Sequence, residues 1–114
     1  MSIIAPDEEI LTVGPLEVAP AEHLARGGGQ TLNLSARELR LLAELARRTD
    51  RIVSREQLYE LVWGRPLRPG DRSVDVYVRK LRVKLSLALP EWSFIHTHFG
   101  FGYRFAAQRR RVVP

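Results

Sequence analysis

Apolar positions along this chain change their period twice, from alternation to helical spacing and back to alternation. Up to residue 34 the apolar runs are short. Ile10 to Val13 stops at Gly14-Pro15, and Leu16-Glu-Val18 alternates and stops near Pro20. Ala21–Ala25 and Thr31–Leu34 flank Arg26-Gly-Gly-Gly29, a glycine cluster that permits the positive φ angles of a tight hairpin. This stretch predicts three or four short antiparallel strands.

Helical spacing takes over after Leu34, and both starts are marked by the chain itself. Ser35 has Glu38 three residues on, the pattern of a capping box, with Leu34 and Leu39 placed to form a hydrophobic staple. Ser54 with Gln57, and Val53 with Leu58, repeat the arrangement. The first helix is expected over 36–48, with Leu39, Leu42, Leu45 and Ala46 inward and Arg47 and Arg48 at the negative end of its dipole. The second is expected over 55–63, with Leu58, Leu61 and Val62 inward. Two prolines and two glycines in 64–70 forbid a continuation. A third helix is expected over 72–88, ending before Pro90. At 100° per residue Val74, Val78, Leu81 and Leu85 form one stripe, and Arg72, Ser73, Val76, Arg79, Lys80 and Val83 lie opposite.

Alternation then returns. Residues 94–105 read as two aromatic-rich strands around Gly100-Phe101-Gly102. The expected organisation is an acidic tail over 1–9, one α+β domain over 10–106 and a basic, frayed tail over 107–114.

Charge changes the picture. Residues 65–84 hold seven Lys/Arg against Asp71 and Asp75, which accounts for the whole net charge of +5. A basic excess confined to one segment is the footprint of a polyanionic partner. On the outer face of the third helix, guanidinium and ammonium groups stand beside short apolar and hydroxyl side chains. That is the set that reaches base edges and phosphates in a DNA major groove. Asp75 on this helix is expected to order a neighbouring arginine.

Composition excludes other classes. With 45% hydrophobic residues, most of the chain can fold. No apolar run approaches a membrane span, and the acidic start lacks the basic region of a signal peptide. The absence of cysteine removes disulfides and thiolate metal sites and fits a reducing cytoplasm. His96 and His98 share a strand face but lack an evident third ligand, so no metal or cofactor is expected. No nucleophile triad, carboxylate pair or phosphate loop stands out, so no enzyme is expected.

Strands, three helices and a hairpin are the order of a winged helix-turn-helix. The segment from Leu34 to Phe105 resembles the C-terminal domain of OmpR/PhoB-type response regulators. The resemblance is carried in order by Leu34–Leu39, Arg51–Leu58, Val62-Trp-Gly64, Arg72–Arg82 and Gly100–Phe105. It implies a transcription regulator that binds double-stranded DNA, with the third helix in the major groove and 94–105 as a wing at the minor groove. It implies phosphate contacts from Arg55, Trp63 and Arg72, base reading by Val76 and Lys80, and further contacts from Ser73, Arg79, Arg82, Val83, His98 and Phe99. Trp63 suits core packing equally well. The resemblance assigns loop 64–70, with Arg65, Leu67 and Arg68, to RNA polymerase, and it implies a domain that is monomeric alone and pairs head-to-tail on direct repeats. Two positions depart from the family pattern: Lys80 stands where a base-reading arginine is usual, and Phe99 where the wing commonly carries arginine. The 114 residues leave no room for the phosphoaccepting receiver domain that usually precedes this one in the family, so an excised domain, a short regulator or a domain detached from a different parent is expected. A winged helix that binds only protein is the alternative, and it predicts no response to duplex DNA.

Overall fold

The computed structural model describes residues 9–110; the expected acidic tail, apart from Glu9, and residues 111–114 lie outside them. Four short strands come first: β1 (Leu11–Val13), β2 (Leu16–Ala19), β3 (Leu24–Gly27) and β4 (Gln30–Thr31). They form an antiparallel meander in chain order. Gly28 and Gly29 make the β3–β4 turn, both at positive φ, as a two-residue hairpin of this hand requires. Two expectations fail here. Strand β4 ends at Thr31 and does not run on to Leu34. Pro20–Glu22 form a single 3₁₀ turn, and His23 is left-handed (φ 53°), so β3 starts at Leu24 and not at Ala21. Proline at the first position of that turn fixes φ and favours it over a strand.

Three helices follow: α1 (Ala36–Arg47), α2 (Arg55–Trp63) and α3 (Ser73–Ala88). The box at α1 is complete: Ser35 Oγ accepts from the Glu38 N–H (3.1 Å), and Glu38 Oε1 accepts from the Ser35 N–H (2.7 Å). At α2 only half of it forms, with Ser54 Oγ accepting from the Gln57 N–H at 3.1 Å. Helix α1 buries Leu41 and Ala43 besides the expected Leu39, Leu42, Leu45 and Ala46. Its two-sided burial follows from its place, because it packs against the first sheet, α2, α3 and the last strand at once.

Between α1 and α2 the chain makes β5 (Ile52–Val53), which sequence periodicity did not reveal. A two-residue strand is too short to show alternation. It pairs with β7 (Gly102–Arg109), which also pairs with β6 (Trp92–His98), giving a second sheet in the order β5-β7-β6. Both hairpin strands outrun the expected 94–105. Trp92 pairs with Arg109, and the Arg110 N–H donates to the Glu91 carbonyl at 2.8 Å, so ordered pairing continues past the expected boundary at 106. Gly102 sits against β5 so closely that a Cβ would lie 2.0 Å from the Val53 carbonyl oxygen. The core joins both sheets and all three helices, with Leu16, Leu42, Leu58, Leu81 and Phe105 fully buried.

Candidate nucleic-acid interface

Helix α3 divides as its sequence predicts. Val74, Val78, Leu81 and Leu85 are buried, whereas Arg72, Val76, Arg79, Lys80 and Val83 are exposed. Val76 and Val83 are 48% and 55% exposed, apolar side chains left in water among cations. Arg72 is the N-cap of α3, and neither it nor Arg79 takes part in an ion pair among the described residues. The Lys80 ammonium lies 4.7 Å from the centre of the Tyr77 ring, a cation–π contact that stiffens its long stem.

Ser73 is turned partly inward to the start of the helix. Asp71 Oδ1 accepts from both the Ser73 N–H (2.8 Å) and the Ser73 hydroxyl (2.5 Å). Asp71 thus satisfies an N–H that the helix leaves without an internal partner. These bonds hold the Asp71 carboxyl below its ordinary pKa.

Asp75 organises the rear of this face. It accepts from Arg55 Nε at 2.7 Å and from the Tyr103 hydroxyl, joining α3 to α2 and to β7. Burial works against its charge, yet the bonds from Tyr103 and Arg55 outweigh burial and hold its pKa below the usual value. The Asp75 bond is also the main reason that the Arg55 pKa is raised. Arg55 is therefore aimed by a partner, as expected of an arginine beside Asp75, and its side chain stays 36% exposed.

Arg82 is the site residue that the fold occupies most. Its Nη2 donates to the Ile95 carbonyl (2.8 Å) and to Thr97 Oγ1 (2.7 Å), and its Nε also donates to Ile95 (3.2 Å). Arg82 straps α3 to β6, a role that charge counting alone does not show. Tyr103 lies between two cations, with the Arg55 and Arg82 guanidinium carbons 5.1 Å and 5.6 Å from its ring centre.

Trp63 lies between packing and exposure. It stacks on Tyr59 (4.8 Å), meets Tyr77 edge-on (5.4 Å) and is covered by the Arg37 guanidinium at 4.8 Å. Arg37 was not singled out by sequence reasoning, because no motif links α1 to the end of α2. In the loop after α2, Arg65 Nε donates to the Tyr59 hydroxyl at 3.1 Å and Leu67 packs on the core. Only Arg68 of the three expected polymerase-contact residues is exposed without such a tie.

The hairpin carries its tip on a tight turn. The Phe101 N–H donates to the His98 carbonyl at 2.9 Å, and Gly100 supplies the positive φ (82°). His98 Nε2 accepts from Arg104 Nε at 3.1 Å, and His96 Nε2 lies 3.0 Å from the Ala106 carbonyl oxygen. Phe99 is 87% exposed. Phe101, which sequence reasoning passed over, is 71% exposed.

Two sheets, three helices and a C-terminal hairpin braced on the third helix define a winged helix-turn-helix domain. The family model described as "Transcriptional regulatory protein, C terminal" matches residues 29–105, and the chain belongs to that family, the OmpR/PhoB type. It is 35% identical over 101 residues to the phosphate regulon transcriptional regulatory protein PhoB of Klebsiella pneumoniae, covering 89% of this chain and 44% of PhoB. It is 41% identical over 95 residues to the transcriptional regulatory protein PrrA of Mycobacterium tuberculosis, covering 83% of this chain and 40% of PrrA. The chain thus spans less than half the length of these relatives. Among solved structures it is similar to the DNA-binding domain of CpxR from Escherichia coli, with a TM-score of 0.78, 35% identity, and 86% and 96% of the two chains covered. It is also similar to the RstA DNA-binding domain of Klebsiella pneumoniae in complex with the RstA box, with a TM-score of 0.77, 33% identity, and 86% and 97% covered.

Proposed function

We infer that this domain binds double-stranded DNA sequence-specifically and regulates transcription, with α3 in the major groove and the wing at the minor groove. The observation that carries the reading is the outer face of α3, where Arg72, Arg79 and Lys80 surround the exposed Val76 and Val83. Cations supply the phosphate-driven affinity, and apolar groups of this size meet thymine methyls. The RstA domain bound to its box supports the reading by similarity of fold and sequence.

Arg72, Arg79 and the outward part of Arg55 anchor phosphates. Val76, Arg79 and Lys80 read bases. Ser73, Arg82 and His98 act first within the fold, holding the helix start, the helix–wing junction and the wing.

In the same reading, two copies occupy direct repeats about one helical turn (~10 base pairs) apart. The exposed Arg68 is the most accessible of the three residues for RNA polymerase. Cytoplasmic action on the chromosome follows from this function, and no described helix is long and apolar enough to cross a membrane.

Selection from a pool of random-sequence duplexes tests the function. Convergence on one motif, lost when competitor duplexes carry that motif scrambled, is the expected outcome. Retention of the pool without enrichment contradicts sequence specificity.

A further inference from the structure

The described exposed apolar side chains fall into three kinds. Ile10, Ile52 and Leu87 stand singly, and Val76 and Val83 belong to the α3 face already assigned. Phe99 and Phe101 form the third kind, two large rings on either side of Gly100 at the wing tip, 87% and 71% exposed. Nothing in the turn requires them. Gly100 provides the positive φ, and the flanking positions accept small polar residues. Neither ring lies in the core that holds Phe94 and Phe105.

The hairpin that carries the tip is tied to α3. Arg82 fastens α3 to Thr97, one residue before the end of β6. At roughly 3.3 Å per residue along a strand, the two rings project about 7–10 Å past that fastening. The hairpin carries net positive charge, since residues 92–109 contain Arg104 and Arg109 and no Asp or Glu. An apolar tip on a cationic, acid-free arm suits a polyanion whose groove has apolar walls. Minor-groove-binding proteins use apolar wedges of this kind to part base steps and bend the duplex.

We propose that Phe99 and Phe101 together form an apolar wedge that enters the DNA minor groove beside the α3 site and bends the duplex. The inference rests on the DNA-binding reading above and deepens it. It replaces attraction of a cation into a narrow groove, which depends on groove potential, with widening of the groove, which depends on how easily the sequence deforms. Base steps of low stacking stability next to the α3 half-site are therefore preferred by the wedge.

The test uses the whole chain and a duplex obtained by selection against it, labelled at both ends for energy transfer. Phe99→Ala, Phe101→Ala and the double variant are compared with the parent by anisotropy and end-to-end transfer. Both side chains are exposed, so the variants keep the parent's thermal midpoint. The double variant is expected to lose about tenfold or more in affinity for the selected duplex, as loss of base–aromatic contact does elsewhere. It is also expected to lose the bend, while keeping salt-dependent binding to random duplex. Equal affinity and equal transfer in the parent and the double variant would overturn the wedge and leave the α3 reading standing. Failure of the parent itself to bind any duplex would overturn the DNA-binding reading, and the wedge with it.

Discussion

The Tyr103 hydroxyl on the wing donates a hydrogen bond to the Asp75 carboxylate on α3. Burial first, and then this bond to a carboxylate, raise the Tyr103 pKa, so the phenol stays a donor well above neutral pH. Because Asp75 also accepts from Arg55, one carboxylate links α2, α3 and the wing.

Asp75→Asn tests that coupling. The amide keeps the shape and one acceptor but removes the charge that pairs Arg55. A stability loss of about 1 kcal/mol is expected, modest because both members of the pair are partly exposed. Affinity for duplex DNA should fall by more than that loss explains, since a neutral amide oxygen holds Arg55 less firmly than the carboxylate does. Unchanged affinity in a folded variant would show that Arg55 does not depend on Asp75 for its role.

Glu38 links acid stability to helix capping. Its carboxylate is 3% exposed as a residue, accepts from the Ser35 N–H, and pairs with Lys84 at 2.7 Å. Burial opposes the charge, but the Lys84 and Ser35 bonds prevail and lower the Glu38 pKa. A lowered folded-state pKa means that the stabilisation is full above the unfolded value and is lost as pH falls through the folded value. Thermal midpoints measured from neutrality downward should therefore drop below about pH 4.3. Glu38→Gln should lose about 1–3 kcal/mol at pH 7 and show a shallower acid limb. An identical acid limb in both proteins would contradict the assignment.

Gly102→Ala tests the junction of wing and β5. Gly102 has φ 141°, and an added Cβ would lie 2.0 Å from the Val53 carbonyl oxygen, a backbone atom that cannot rotate away. A loss of about 3 kcal/mol or more is expected by denaturant titration. Gly100→Ala meets no atom within 4 Å and carries only the strain of φ 82°, so it should cost less. A larger loss at Gly100 than at Gly102 would contradict the packing account.

Much of this was legible in the chain because local chemistry and tertiary use coincide. Ser35 with Glu38, the α3 stripe and the Gly100–Gly102 turn each signal the same element that the fold builds. The illegible parts depend on partners distant in sequence. Arg82 resembles its neighbours Arg79 and Lys80 until Ile95 and Thr97 are brought beside it. Arg37 over Trp63 joins residues 26 positions apart with no motif between them. Strand β5 exists because β7 lies next to it. At the α2 start, the Ser–x–x–Gln pattern marks the boundary, but the glutamine side chain does not complete the box.

The proposed function separates base reading from phosphate anchoring on α3. Lys80→Ala should relax preference at one or two operator positions by about 1–3 kcal/mol while binding to random duplex changes little. Arg72→Ala should weaken binding to every duplex and reduce the salt slope by about one. Competition titrations against a set of single-position operator variants distinguish the two. Parallel losses on specific and random DNA for both variants would show that the assigned roles are wrong.

The proposed function rests on the exposed cations around α3 meeting DNA phosphates. Anisotropy of a fluorescent random-sequence duplex, titrated with this chain from 50 to 200 mM salt, tests it most directly. With about three to five phosphates neutralised, log K should fall linearly with log salt at a slope of about −2.7 to −4.5, which is roughly a 40- to 500-fold loss across that range. No binding at 50 mM, or binding that ignores salt, would contradict the claim and move this surface to a protein partner.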